Sequence, residues 1–191
     1  FEIDYKVESL CVTNHLIDVV RSTSTGLVGI ADAYKQLVPD AVILLGDRYE
    51  MFSAALAALF SKIPIIHLHG GESTEGAFDE ALRHSISKMA HFHFTANNVY
   101  RRRVIQMGED PKRVYNVGAL GLENIRRLKL LHKKEIEQAI GVELGPKSLL
   151  VVWHPVTLDR EASWLQLELI LDVLDKLQDT TLIFTKSNAD P

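Results

Sequence analysis

Residues 41–48 read AVILLGDR, a run of five apolar residues that ends in a glycine and two charged side chains. Short apolar runs that contain β-branched residues and stop at a glycine are typical of buried strands. Further runs of this kind follow along the chain, separated by segments with helical spacing of apolar residues. They are residues 64–68, 91–95, 114–117, 149–153 and 181–185. Strands that alternate with helices predict βαβ units and a parallel sheet.

The segments between the strands predict helices. They are Ser22–Leu37, Glu50–Ser61, Phe78–Ala90 and Asn97–Met107. The Ser- and Thr-rich stretch at Ser22 predicts a helix cap at that point. Because the strand runs are apolar almost throughout rather than alternating, we expect burial on both faces of the sheet.

A charged helical stretch and a Gly-Pro pair at 145–146 predict a connection between two domains. The expected division is a first domain at 1–122, a connection at 123–146 and the beginning of a second domain at 147–191. The chain starts at Phe1 without a methionine and stops after a turn-type cluster at 188–191. We therefore expect an interior part of a larger two-domain α/β protein, with the first strands missing and the second domain truncated.

Composition argues against several classes of partner. The 21 Lys and Arg residues against 25 Asp and Glu residues give a net charge of −4, which disfavours nucleic acid as a partner. No apolar stretch approaches the ~20 residues of a membrane helix, and the acidic first residues do not resemble a secretory signal. A single cysteine, Cys11, is typical of a reducing compartment. These features predict a cytoplasmic protein without membrane contact.

Polar residues follow the predicted strands where each one ends, and ligands of open parallel sheets bind beyond those ends. Asp47 is a candidate for proton transfer and Arg48 for holding a phosphate. An N-cap role for Asp47 is the alternative. After the next strand, Glu72 and Glu75 lie near His67 and His69 in a glycine-rich stretch, which leaves open a flexible turn or a metal site. We predict no metal, since neither a His-x-x-x-His helix nor a cysteine pair is present.

The helix that begins near residue 79 carries two pairs of charged residues four positions apart. Asp79 and Arg83 share one helical face, as do Glu80 and His84. Capping and surface pairing would also explain acidic residues in a first turn. Convergence with the other strand-end groups favours a site.

For two other groups of polar residues we prefer a structural interpretation to a functional one. His91 and His93 alternate with phenylalanines and are expected to be structural histidines on one strand face. The arginines at 101–103 would point in three directions on a helix, so a solvated surface is expected there rather than a nucleic-acid patch.

Three long motifs carry a family resemblance. They are GDRYE at 46–50, IPIIHLHGGE at 63–72 and GAFDEALRHSISK at 76–88. They resemble the hydrolysing UDP-N-acetylglucosamine 2-epimerases, in particular the bacterial sialic-acid branch. The segments 154–157 and 188–190 fall where that family has corresponding segments, so the resemblance covers essentially the whole chain.

The resemblance implies two Rossmann-like domains that face each other across a cleft, as in B-type glycosyltransferases. It implies conversion of UDP-N-acetylglucosamine and water to N-acetylmannosamine and UDP through a glycal, the entry step to sialic acid. It also implies no cofactor, no metal and a homo-oligomer, either a dimer or a tetramer. Alternatives within the class are a non-hydrolysing epimerase or an enzyme for a UDP-2,4-diacetamido sugar. Alternatives from another class are a B-type glycosyltransferase and a sugar-nucleotide sensor, although glycosyl transfer gives no reason for several acids around the hexose.

The resemblance also implies roles for individual residues. Asp47 and Asp79 match carboxylates of the acid–base cluster, and Arg83 matches a companion arginine. His154 matches a histidine that contacts substrate in the cleft. Arg48 and Asn188 match contacts to substrate or nucleotide. A family glutamate is replaced by His69 here, and the sequence leaves open whether His69 or the nearby Glu72 takes over its function.

Overall fold

A computed structural model describes residues 2–9, 16–75, 77–154 and 160–186. The chain divides into two units, of which the first reaches Asn124 and the second begins at Ile125. This boundary falls inside the stretch 123–146, whose role as a connection between domains remains a prediction.

Within the described residues, parallel strands in sequential order form the sheet of the first unit. The strands are β1 (Val42–Leu45), β2 (Ile65–Leu68), β3 (Phe92–Thr95) and β4 (Val114–Asn116). The helices are α1 (Leu16–Leu37), α2 (Tyr49–Phe60), α3 (Asp79–Met89) and α4 (Asn98–Gln106), with a 3₁₀ turn at Pro111–Arg113. The predicted α/β fold with a parallel sheet is therefore confirmed.

From residue 120 onward the charged stretch forms two short helices rather than one. They are α5 (Leu120–Arg127), which crosses the unit boundary, and α6 (Lys133–Ile140). The second unit continues with β5 (Lys147–Val151), α7 (Arg160–Leu174) and β6 (Thr180–Phe184), and its two strands are parallel. β5 ends two residues before the predicted end at 153, because its pairing with β6 stops at Val151 and Phe184. In the described ranges no helix has both the length and the apolar character of a membrane span.

Helix α1 begins six residues before the predicted start at Ser22, so the prediction of a cap there was wrong. The hydroxyl groups are accommodated inside the helix instead. Ser22 is buried, and the Thr23 hydroxyl donates to the Val19 carbonyl one turn earlier, at 2.6 Å. Ser53 of α2 donates to the Thr23 carbonyl at 2.9 Å, which ties the two helices together.

The core of the first unit lies between the sheet and its helices. Leu44 of β1, Ile65 of β2 and Ile86 of α3 are almost fully buried there. Alanines 54, 55 and 58 of α2 complete the cluster, and their small side chains let that helix pack close to the strands. This core holds the carboxyl ends of β1 and β2 at fixed positions.

Within the described residues the other face of the sheet is not covered, so the expected burial on both faces is not seen there. Ile43 is 66% exposed and Leu45 52% exposed. The strand order explains this, because right-handed crossovers that always advance in one direction place their helices on one face. Apolar residues on the opposite face remain uncovered in this chain.

Candidate functional site

Asp47 lies directly after β1 and pairs with Arg83 of α3. Nη2 of Arg83 donates to Oδ2 of Asp47. The Arg83 side chain is only 7% exposed, and a buried guanidinium requires such a partner because an unpaired buried charge is costly. The N-cap of α2 is Arg48, so the alternative of Asp47 as N-cap was wrong. The structure thus brings together two predicted site residues that are 36 positions apart.

Thr74 holds the same guanidinium from the loop after β2. Its Oγ1 lies 3.1 Å from both Nη1 and Nη2 of Arg83. Burial lowers the pKa of Arg83 below its ordinary value, although the group stays charged at neutral pH. Nε of Arg83 has no hydrogen-bond partner among the described residues. Arg83 is therefore fixed at its tip by two segments and retains a donor at Nε.

His69 and Glu72 form a second polar pair just after β2. Nδ1 of His69 lies 2.8 Å from Oε1 of Glu72, and the backbone N–H of Leu120 donates to Nε2 at 3.4 Å. Because Nε2 accepts, the proton belongs on Nδ1 and is donated to the carboxylate. The backbone of His69 is in the left-handed region, at φ 62°, and its N–H donates to the Phe94 carbonyl at 2.8 Å. This imidazole is oriented by its neighbours on both sides.

The glycine-rich loop approaches α4 closely, and Gly71 makes that approach possible. Its φ is +79°, and a Cβ atom there would lie 2.5 Å from the carbonyl oxygen of Tyr100. Nη1 of Arg103 donates to the Gly71 carbonyl, and Nε of Arg101 donates to the Val114 carbonyl at 2.8 Å. The expectation of a solvated surface was therefore wrong for these two arginines, which bind backbone carbonyls.

The first turn of α3 binds the part of the loop after β2 that contains Ser73 and Thr74. Oε2 of Glu80 accepts from the Ser73 hydroxyl at 2.7 Å and from the Thr74 N–H at 2.8 Å. These two bonds lower the pKa of Glu80. Glu80 also lies 3.7 Å from His84, as the four-residue spacing predicted. Asp79, the first residue of α3, is half-buried and precedes Arg83 by one turn.

Three further site residues were predicted from the sequence. Arg48 is at the start of α2, where its Nε donates to Glu50 at 3.2 Å. His154 is exposed in the second unit, three residues after β5. Asn188 lies outside the described residues. Their roles remain predictions.

Three further histidines lie on or next to the sheet, of which His67 and His93 are fully buried and His91 is exposed. Nδ1 of His91 accepts from the Ile65 N–H at 3.2 Å. Nε2 of His93 lies 3.3 Å from Oε2 of Glu109, but neither ring nitrogen of His93 makes a hydrogen bond within the described residues. Both nitrogens of His67 are engaged by Ser87 and by the Gly46 carbonyl, so this residue does not support the metal alternative. Among the described residues no group of His, Cys, Asp or Glu side chains is gathered as a metal site.

Sequence analysis did not identify some residues that build this site. They are Ser73, Thr74, Ser87 and Arg103. Ser73 and Thr74 lie in the strand-end stretch after β2, but uncharged hydroxyls there gave no sign of which side chains they would meet. Arg103 belongs to the run 101–103, for which a solvated surface was expected. Ser87 lies inside a quoted motif, but helical spacing alone does not show that its hydroxyl faces His67.

Comparisons with known proteins agree with this architecture. The family model "UDP-N-acetylglucosamine 2-epimerase" matches residues 1–191. The chain is 42% identical, over 100% of its length and 50% of the relative, to the "GDP/UDP-N,N'-diacetylbacillosamine 2-epimerase (hydrolyzing)" of Campylobacter jejuni. It is 43% identical to "Polysialic acid biosynthesis protein P7" of Escherichia coli, over 90% of the chain and 44% of that protein.

The structure of UDP-N-acetylglucosamine 2-epimerase from Rickettsia bellii has the same fold. It aligns with a TM-score of 0.73 at 20% identity and covers 98% of this chain and 48% of that one. The chain thus spans about half the length of the proteins that it matches. Since the family model matches every residue, the chain belongs to the UDP-N-acetylglucosamine 2-epimerase family.

Proposed function

We propose that the full-length protein is a hydrolysing 2-epimerase that converts UDP-N-acetylglucosamine and water to N-acetylmannosamine and UDP. The observation that carries this proposal is the presence of two oriented acid–base pairs after neighbouring strands. Asp47 with Arg83 follows β1, and His69 with Glu72 follows β2.

The reaction needs proton transfer in both of its halves. A base removes the proton at C2 of the sugar while UDP leaves C1, which forms a glycal. Water then adds at C1, and a proton returns to C2 from the opposite face. Each half requires a positioned acid or base, and the departing diphosphate requires positive charge or hydrogen-bond donors.

The proposed division of roles follows the contacts. The guanidinium of Arg83 favours the ionised form of Asp47, which is the form that accepts a proton. Asp79, one turn before Arg83 on α3, supplies the second carboxylate of the cluster. Arg48, His154 and Asn188 are proposed to contact substrate or nucleotide, as the resemblance implies.

His69 and Glu72 act together in this proposal and take over from the family glutamate. The carboxylate of Glu72 accepts the Nδ1 proton and thereby selects the tautomer with a lone pair on Nε2. An imidazole held in this way can accept and return a proton at Nε2 once substrate displaces the long, 3.4 Å bond from the Leu120 N–H. The resemblance further supports a cytoplasmic homo-oligomer, a dimer or a tetramer.

A second candidate substrate is a UDP-2,4-diacetamido sugar. The Campylobacter jejuni relative, 42% identical over the whole chain, is named for N,N'-diacetylbacillosamine. The proposed chemistry at C1 and C2 is the same for both sugars, so the enzyme would distinguish them by substituents away from these carbons, such as that at C4.

Turnover in D₂O tests the proposal. The full-length protein is incubated separately with UDP-N-acetylglucosamine and with UDP-N,N'-diacetylbacillosamine, and the products are followed by NMR. We expect UDP release and a free 2-epimerised sugar that carries deuterium at C2. A product without deuterium, an epimer still bound to UDP, or no turnover of either substrate would contradict the proposal.

A matched pair of variants tests the site. Asp79→Asn is expected to lower kcat at least about 100-fold, the size typical for loss of an acid–base group. Asp32→Asn removes an exposed carboxylate on α1 and should leave kcat unchanged. Equal rates for the two variants would contradict the role of Asp79.

A further inference from the structure

A buried chain of hydrogen bonds runs from α3 through β2 to the turn after β1. The hydroxyl of Ser87 lies 3.1 Å from Nδ1 of His67. Nε2 of His67 lies 2.8 Å from the carbonyl oxygen of Gly46. Ser87 and His67 are both fully buried, so water does not compete for these bonds.

The chemistry of the partner atoms determines which atom donates in each of these two hydrogen bonds. A carbonyl oxygen can only accept, so Nε2 of His67 must carry the proton that it donates to Gly46. Nδ1 then has a lone pair, and the Ser87 hydroxyl donates to it. Burial lowers the pKa of His67 to about 4, so the imidazole is neutral at pH 7 and this single tautomer is maintained.

These hydrogen bonds join segments that carry proposed site residues. Gly46 immediately precedes Asp47, and Ser87 lies one turn after Arg83 on α3. The loop that carries Glu72 packs on the same bonds, because a Cβ atom at Gly70 would lie 2.9 Å from Oγ of Ser87 and 3.0 Å from Nδ1 of His67. Three segments that are distant in sequence therefore meet at one buried pair.

We propose that His67, oriented by Ser87, is a positioning residue that holds the Gly46–Asp47 turn in register with Arg83. This inference rests on the proposed function, in which Asp47 is part of the acid–base cluster. His67 does not touch substrate in this proposal. It acts through the Gly46 carbonyl, and a displacement of about 1 Å of a reacting group can cost on the order of 100-fold in rate.

Two amide variants separate positioning from simple core packing. In His67→Gln the side-chain amide reaches roughly the place of Nε2, so it can still donate to the Gly46 carbonyl. In His67→Asn the amide reaches only the place of Nδ1, near Ser87, and the bond to Gly46 is lost. Both changes put a neutral amide into the same buried space, so a purely structural role would be affected in both.

The kinetic experiment uses the full-length protein with UDP-N-acetylglucosamine and with the diacetamido sugar nucleotide. We expect His67→Asn to lower kcat about 100-fold with little change in KM. His67→Gln should stay within about threefold of the wild type, since it keeps the donor. Wild-type kcat in His67→Asn, or equal losses in both variants, would overturn the inference.

A spectroscopic readout covers the case in which His67→Asn does not fold. Long-range ¹H–¹⁵N spectra of the wild type at pH 7 should show His67 neutral with its proton on Nε2, and Ser87→Ala should weaken that preference. A proton on Nδ1, or a charged ring, would overturn the inference. If the wild type turns over neither substrate, the proposed function itself fails, whereas wild-type turnover with equal variants rejects only the positioning role.

Discussion

The two faces of the first unit's sheet are built from similar residues but have opposite surroundings. On the helix-covered face, Ile65, His67, His93 and Val114 are at most 1% exposed. On the open face, Ile43 is 66% exposed, and Leu45, Phe92 and Tyr115 are between 40% and 52% exposed. Apolar character alone therefore does not decide burial here. The direction in which successive strands are added decides it.

The covered face also supports the chemistry at the sheet's edge. Its apolar core lies under β1 and β2, and near the carboxyl ends of the strands it changes into the polar pair of His67 and Ser87. The proposed acid–base groups lie just beyond that pair. Stability and site geometry thus depend on the same layer, and within this chain the open face is expected to contribute little to either.

The largest expected effect comes from the same substitution made on each face. Ile65→Ala removes a fully buried side chain and should lower the free energy of unfolding by about 2–5 kcal/mol, through lost transfer energy and a cavity. Ile43→Ala, on the adjacent strand but the open face, should cost less than about 1 kcal/mol, since exposed substitutions usually have small effects.

Urea unfolding followed by far-UV circular dichroism measures both variants, with hydrogen exchange of peptides from β2 as a local readout. Tryptophan fluorescence would not report on this core, because both tryptophans, Trp153 and Trp164, are in the second unit. Similar losses for the two variants would mean that the open face is covered in solution.

A smaller effect is expected from pH. Burial, the largest cause, together with the nearby His93, His69 and His84, lowers the pKa of His67 to about 4, whereas an unfolded histidine titrates near 6.5. Between these values the unfolded chain binds more protons, so stability falls as the pH is lowered from about 6.5 to 4. His67 accounts for about 3 kcal/mol of this loss in the free energy of unfolding.

The comparison of wild type with His67→Gln isolates that share. Carboxylates and other histidines contribute equally to both proteins, whereas glutamine does not titrate. Unfolding free energies at pH 7.5 and pH 4.5 should therefore differ less in His67→Gln than in the wild type. An unchanged pH dependence would show that His67 is not buried in its neutral form.

The sequence predicted the strands and the approach of Asp47 to Arg83 because both depend on local pattern. Asp47 and Arg83 are distant in the chain, but one follows a strand and the other lies on the first turns of a helix. Parallel strands bring such positions to one edge. The partners of His67 were not predictable in this way, since a histidine in an apolar run gives no sign of the serine hydroxyl that it meets across 20 residues.

The wrong expectations share a physical cause, which is that tertiary contacts override local preference. Ser22 suggested a cap, but buried hydroxyls can bond within a helix, as Thr23 does with Val19. Arg101 and Arg103 suggested a solvated surface, but backbone carbonyls of neighbouring segments accept their protons. Which face of the sheet the helices of this chain cover was not predictable either, because strand order is not encoded in the apolarity of any one strand.

The smallest expected effect concerns the one stacked aromatic pair observed among the described residues, on the open face. The rings of Phe94 and Tyr115 have centroids 5.2 Å apart and planes inclined by 21°, an arrangement worth about 0.5–1.5 kcal/mol beyond area burial. Tyr115→Leu should therefore lower unfolding stability by about 1 kcal/mol, whereas Tyr115→Phe keeps the ring and should not. A larger loss in both, measured by urea unfolding, would show that the open face supports the sheet as strongly as the covered one.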